Sequence, residues 1–194
     1  MSKTLITIGR QIGAGGQQIA RRIGETLGIP VYGRELIEKA AEKSGFSSQL
    51  FEHRDEKRNF WTNFLGGQDY ISDEALFKVQ SAAIREIAEN GSAIFIGRAS
   101  NYVLRDMHCL YVFVTSPLEM RVARVAERWN LIPEEAAEDI ASREKARRKY
   151  YDYYTLGTWG DAAEYDLCID SSILGMDRTA DAIIAFGREA GFIV

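Results

Sequence analysis

Along the chain, short continuous apolar runs alternate with longer stretches in which apolar positions recur every three or four residues. That is the pattern of buried strands separated by amphipathic helices. Leu5-Ile6-Thr7-Ile8 is the first run, and from Gln17 to Leu27 the residues Ile19, Ala20, Ile23 and Leu27 share one helical face, opposite Gln18, Arg21, Arg22 and Glu25. Gly28 stops that helix. Ile29-Pro30-Val31-Tyr32 reads as a second strand and Arg34 to Lys43 as a helix ending at Ser44-Gly45, so the chain opens with a βαβ unit and a parallel sheet is expected.

Farther on, the pattern predicts a helix from Asp73 to Glu89 closed by Asn90-Gly91, a strand from Ser92 to Ile96 leading into Gly97-Arg98, and a strand from Cys109 to Thr115. A helix with Pro117 in its first turn follows, then a long helix from Pro133 to about Tyr154, a strand from Tyr165 to Asp170 and a closing helix from Asp177 to Glu189. Five strands alternating with helices predict an α/β fold, a three-layer sandwich around a five-stranded parallel sheet. Residues 46–71 read as an excursion from the sheet, with a charged run from Glu52 to Arg58 before Phe60, Trp61 and Phe64.

A length of 194 residues fits a single domain with a sizeable core, and 46% hydrophobic against 27% charged residues is an ordinary globular balance. The net charge of -4 argues against nucleic-acid binding, so any anion site must be a local cluster of positive charge. Cys109 and Cys168 lie in apolar strand-like runs and read as buried reduced thiols. The opening Met1-Ser2-Lys3-Thr4 runs straight into a strand without an export signal, and no apolar run approaches membrane-spanning length, so the cytoplasm is the expected location and no membrane partner is expected. Nothing in the pattern sets an oligomeric state.

Chemistry concentrates first in the loop after the first strand, which holds Gly9, Gly13, Gly15 and Gly16. Glycines let backbone amides curl around an anion, and the helix behind them adds unpaired amides and a partial positive charge. Residues Gly13, Ala14, Gly15, Gly16, Gln17 and Gln18 are therefore candidates to surround nucleotide phosphates; the alternative is a glycine turn that only lets strand and helix approach. A full P-loop supplies Lys and then Ser or Thr at its end, where this chain has Gly16 and Gln17. A dinucleotide fingerprint is excluded by Gln18 in place of its third glycine and by the absence of an acidic residue after Tyr32.

With that loop, the stretches "ITIGRQIGAGGQQIA", "LGIPVYGRELIEKAAEKSG", "AIFIGRASNYVL", "LYVFVTSPLEMRVARV", "DIASREKARRKYYDYYT" and "YDLCIDSSI" occur in an order that resembles the cytidylate kinase-like family of P-loop nucleoside monophosphate kinases. The resemblance implies ATP, with magnesium, as phosphoryl donor and a nucleoside monophosphate or similar small phosphorylated acceptor. It implies that Arg98 reaches the acceptor phosphate, that Arg121 follows the fourth strand as in that family, that residues 34–71 form an acceptor-binding insertion, with Phe60 and Trp61 against a base, and that residues 130–160 form a lid carrying Arg143, Arg147 and Arg148. Where the family's lysine stands, this chain has Gly16. A catalytically weak or inactive nucleotide-binding regulator of the same fold is the alternative.

Arg143, Lys145, Arg147, Arg148 and Lys149 crowd positive charge into an acidic protein, and residues 143 and 147 lie one helical turn apart, able to address one polyphosphate. A solvated helix face partly neutralised by Glu138, Asp139 and Glu144 is the plainer reading of the same cluster. Arg10, inside the loop, either supplies the charge that the absent lysine would have placed at the phosphates or pairs with a carboxylate at the sheet end. Arg10, Arg98, Arg143 and Arg147 are thus the candidate catalytic side chains. The third and fourth strands end in Gly97-Arg98 and Thr115-Ser116, so the sequence designates no magnesium ligand, and Asp170 reads as a cap for the Ser171-Ser172 turn. Tyr150, Tyr151, Tyr153 and Tyr154 suit a core edge or a base, and His53 and His108 lack the neighbours of a triad or metal site.

Overall fold

The structure is a computed structural model that describes residues 3–36, 39 and 73–194. Its elements are β1 (Leu5–Arg10), α1 (Gly16–Leu27), β2 (Val31–Tyr32), α2 (Asp73–Asn90), β3 (Ala93–Ile96), α3 (Ser100–Val103), β4 (Leu110–Thr115), α4 (Leu118–Trp129), α5 (Pro133–Thr155), a 3-10 turn (Ala162–Glu164), β5 (Leu167–Asp170) and α6 (Ser171–Glu189). The five strands form one parallel sheet in the order β2-β3-β1-β4-β5, with Ile8 opposite Ile96 on one side and Val112 on the other. The expected five-stranded α/β sandwich is the fold observed.

Side chains alternate across the sheet as the two-residue strand period requires. Ile6, Ile8, Ile94, Ile96, Val112 and Val114 face one cluster with Ile19 and Ile23 of α1 and Ile183 and Ile184 of α6. Leu5 and Phe95 face the other, with Val79 and Ile84 of α2 and Leu104 after α3. Burying each such aliphatic side chain contributes ~1.5–3 kcal/mol. A third, smaller cluster of Ile12, Val125, Ala136 and Ile140 lies away from the sheet and seats α5 on α4 and on the loop after β1.

Three expectations change. Cys109 is buried as expected, but Cys168 is exposed: β5 is an edge strand, and no β5 residue joins the cluster that covers the face opposite Leu167 and Ile169. A short helical piece from Ser171, capped by Asp170, whose Oδ1 accepts from the Ser172 amide at 2.8 Å, precedes the expected closing helix, from which the non-helical Gly175, at φ 74°, separates it. Pro117 is the N-cap of α4 rather than a first-turn residue. Of the expected helix from Arg34, residues 34–36 and 39 are helical. The rest of it and the expected excursion, including His53, Phe60 and Trp61, lie outside the described residues. Among the described residues no helix is long and apolar enough to cross a membrane.

Candidate functional site

The central strands β1, β3 and β4 end together, and the loop from β1 to α1 spans their tips. It passes through left-handed backbone at Gly13 (φ 79°) and Gly15 (φ 81°), conformations that glycine adopts without steric cost. A Cβ at Gly13 would stand 2.8 Å from the Arg121 carbonyl oxygen, so this position also lacks room for a side chain. Gly15 caps α1 without a side-chain hydrogen bond, which leaves the first-turn amides able to hold an anion.

The loop is held from outside by residues that the sequence pattern did not single out for this task. The Ile12 amide donates to Glu144 Oε1 at 3.0 Å, and Arg121 Nη1 donates to the same oxygen at 2.8 Å and to the Ile12 carbonyl at 3.3 Å. Arg124 Nη1 donates to the Gly13 carbonyl at 3.2 Å, and Ser171 Oγ donates to the Ala14 carbonyl at 2.8 Å. Gln11 Oε1 accepts from the Ser116 amide at 3.1 Å. Arg121, expected after the fourth strand, is buried in this brace instead of facing open space. Apart from Arg121, which the family resemblance named, and Gln11, which lies in the loop, these partners carry no local signal of this role, because each reaches the loop from another element.

Two cavities flank the loop. One, of about 440 Å³, is lined by Gly13, Gly15, Gly16, Gln17 and Gln18 together with Arg124, Arg128, Trp129 and Met176. The other, of about 450 Å³, is lined by Arg34, Arg98, Ser100, Asn101, Tyr150, Tyr151, Trp159 and Tyr165. Arg10, Ile12, Arg143 and Arg147 line both. Of the expected loop residues, Ala14 alone turns inward: it is fully buried in the core beside the sheet.

The arginines at the junction are under electrostatic stress. Burial first, and then Arg147 and Arg98, lower the Arg10 pKa to about 9. Arg147 is lowered to about 10 by burial, with Arg98 and Arg143 adding to the effect and Glu144 opposing it. Among the described residues no carboxylate forms an ion pair with Arg10, Arg98 or Arg147. That removes the carboxylate-paired reading of Arg10 for the residues described.

The remaining candidates are oriented by other contacts. Arg147 Nη1 donates to the Arg10 carbonyl at 2.9 Å, and Arg98 sits 5.5 Å from the centre of the Tyr150 ring. Arg143 pairs with Asp139 at 2.7 Å and lies 4.4 Å from the Trp129 ring centre, whereas Lys145, Arg148 and Lys149 are exposed and line neither cavity. Two tyrosines of the α5 run line the second cavity: Tyr151, buried and accepting from Asn101 Nδ2 at 2.7 Å, and Tyr150. Tyr154 instead stacks on Phe77 at 4.2 Å and Tyr153 faces solvent. His108 stacks on Phe192 at 4.8 Å, outside both cavities.

Capped glycine loop, bare helix start and clustered cations fit a polyphosphate. They do not form a protein-built metal site, since no group of three or more His, Cys, Asp or Glu among the described residues could hold an ion. A parallel sheet in this order with such a loop at its strand tips defines a P-loop kinase fold. The chain belongs to the cytidylate kinase-like family, whose model it matches over residues 5–173.

Curated relatives include the cytidylate kinase of Methanopyrus kandleri, 30% identical over 90% of this chain and 88% of its own length. That of Methanothrix thermoacetophila is 31% identical over 86% of this chain and 88% of its own. Among solved structures, a protein of Eubacterium ventriosum matches with a TM-score of 0.76 and 25% identity over 95% of this chain and 98% of its own. The shikimate kinase of Bacteroides thetaiotaomicron, at a TM-score of 0.56 and 11% identity over 95% of this chain and 98% of its own, shares the fold.

Proposed function

We propose that this protein is an ATP-dependent phosphotransferase whose acceptor is a nucleoside monophosphate of the CMP type. The observation that carries this reading is the sharing of Arg10, Arg143 and Arg147 by both cavities. Phosphoryl transfer asks for in-line positioning and for cancellation of charge spread over the moving group, which arginines at the meeting point of donor and acceptor supply. The loop cavity takes the triphosphate on amides of residues 15–17, and the second cavity takes the acceptor, with Arg98 on its phosphate and Tyr150 and Trp159 lining the space for a base. Magnesium arrives on the nucleotide's own phosphates and neutralises part of their charge.

The described lining of the second cavity suits an acceptor that brings its own charge. A hydroxyl acceptor needs a base to take its proton. Among the described lining residues there is no Asp, Glu or His, and the Tyr165 hydroxyl is pushed above its ordinary range by burial and by Tyr151, so it stays protonated. An acceptor phosphate is already ionised at neutral pH. Its oxygen attacks the γ-phosphorus, the bond to the β–γ bridging oxygen breaks with its electron pair leaving on ADP, and no base is required.

Calorimetric titration with MgATP, followed by a coupled assay of ADP release against a panel of nucleoside monophosphates, tests the proposal. ADP release that depends on a pyrimidine monophosphate is the expected result. ATP binding with no release for any member would favour the non-catalytic regulator.

A further inference from the structure

We propose that Arg10 substitutes for the absent P-loop lysine, holding the donor's terminal phosphates from the junction of the two cavities, and that positions 16 and 97 are glycine because this arginine occupies their side-chain space. The inference rests on the reading that the glycine loop receives the donor phosphates, and it names the cation that completes that site.

The geometry is reciprocal. A Cβ at Gly16 would stand 2.7 Å from Arg10 Cβ and 2.8 Å from Arg10 Cγ. Those atoms are the fixed root of the side chain, so the first carbon of a lysine at position 16 would collide with a part of Arg10 that cannot swing away. At the other end, Arg10 Nη1 fills the place where a Cβ of Gly97 would be, at the tip of β3, and Gly97 has φ +70°. Arg10 therefore crosses the face of the first residue of α1 and ends beside Gly97 and Arg98. Residues far apart in sequence clear one path for it.

The charge environment explains why an arginine suits this path. Arg147 donates to the Arg10 backbone carbonyl, and Arg98 lies near enough to disfavour its charge. Burial and the neighbouring arginines disfavour any cation here, and a guanidinium, whose ordinary value is the higher, keeps its charge more readily than an ammonium. The guanidinium keeps its charge at pH 7 and offers a planar fork to two phosphate oxygens. Bound phosphate then relieves the repulsion among the three arginines.

Calorimetry with MgATP and with inorganic tripolyphosphate, on the wild-type protein and on Arg10→Ala, Arg10→Gly, Gly16→Lys and the Arg10→Gly/Gly16→Lys double variant, tests this, with thermal melting of each; glycine at position 10 is needed because the nearest clashing atom is the Cβ that alanine would keep. Arg10→Ala is expected to bind both ligands about 10- to 100-fold more weakly while still melting cooperatively, the loss expected for a hydrogen bond to a charged group. Gly16→Lys alone is expected to weaken binding, because two side chains contend for one space. The double variant, with that space cleared, is expected to recover most of the affinity, which a merely structural role for Arg10 would not produce.

Unchanged affinity in Arg10→Ala, or a folded double variant no better than Arg10→Gly, would overturn the role of Arg10 and leave the phosphate loop standing. A wild-type protein that binds neither ligand would overturn both. Should Arg10→Ala not fold, Gly97→Ala keeps the arginine and displaces its guanidinium; loss of affinity there supports the proposal and unchanged affinity refutes it.

Discussion

The Glu144 carboxylate accepts the Ile12 amide at 3.0 Å, joining the middle of the long helix α5 to the loop after β1 across 132 residues of sequence. The same oxygen holds Arg121 at 2.8 Å, with the two side chains only 7% and 19% exposed. The helix carrying Arg143 and Arg147 is thereby docked on the backbone that surrounds the donor cavity. Glu144 thus braces the loop as well as diluting the positive charge of α5, where it favours the charged form of Arg147.

Glu144→Ala leaves Arg121 buried without its counter-charge, a change that costs about 3–5 kcal/mol in comparable buried pairs. Chemical denaturation is expected to show a loss of that order, and MgATP affinity is expected to fall with it as the loop loses its brace. Glu144→Ala with wild-type stability would show that Arg121 finds other compensation.

Arg98 lines the cavity proposed for the acceptor and is absent from the lining of the glycine-loop cavity proposed for the donor. Arg98→Ala is therefore expected to raise the acceptor KM at least tenfold, the loss of a charge-assisted hydrogen bond to phosphate, while MgATP affinity measured by calorimetry changes less than twofold. An equal loss of affinity for both ligands would place Arg98 at the donor.

Ligand binding is expected to be coupled to protons only in alkali. Without an anion Arg10 is protonated below about pH 9 and loses its charge above it, and a bound phosphate raises its pKa again. ATP binding at pH 9.5 is thus expected to take up protons, with affinity declining as pH rises through 9, and Arg10 contributes no uptake at pH 7.5. Calorimetry in buffers of different ionisation enthalpy reads this directly, and Arg10→Ala is expected to reduce the alkaline uptake to the part that Arg147, lowered to about 10, supplies.

Thr7, in the central strand and 1% exposed, has a buried hydroxyl without a hydrogen-bond partner among the described residues. An unsatisfied buried polar group costs about 1–3 kcal/mol, and valine has nearly the same shape. Thr7→Val is expected to raise the unfolding free energy by about 1 kcal/mol in urea denaturation, with nucleotide affinity unchanged. A loss of stability would mean that the hydroxyl is satisfied in solution.

Local pattern was enough to read the sheet and its helices, because a strand buried on both faces and an amphipathic helix each write their period into adjacent residues. Leu5–Arg10, the helix from Gly16 and the run of α5 from Pro133 were all legible in that way, as was the glycine loop between β1 and α1, whose glycines answer a local need for left-handed backbone. Tertiary structure decided the rest. That Glu144 and Arg124 brace the loop, that Ala14 points into the core, that Cys168 is exposed at a sheet edge, and that Arg10 runs between Gly16 and Gly97 depend on which elements meet. Close packing and unpaired charge are properties of neighbours in space, and a chain read in order shows only neighbours along itself.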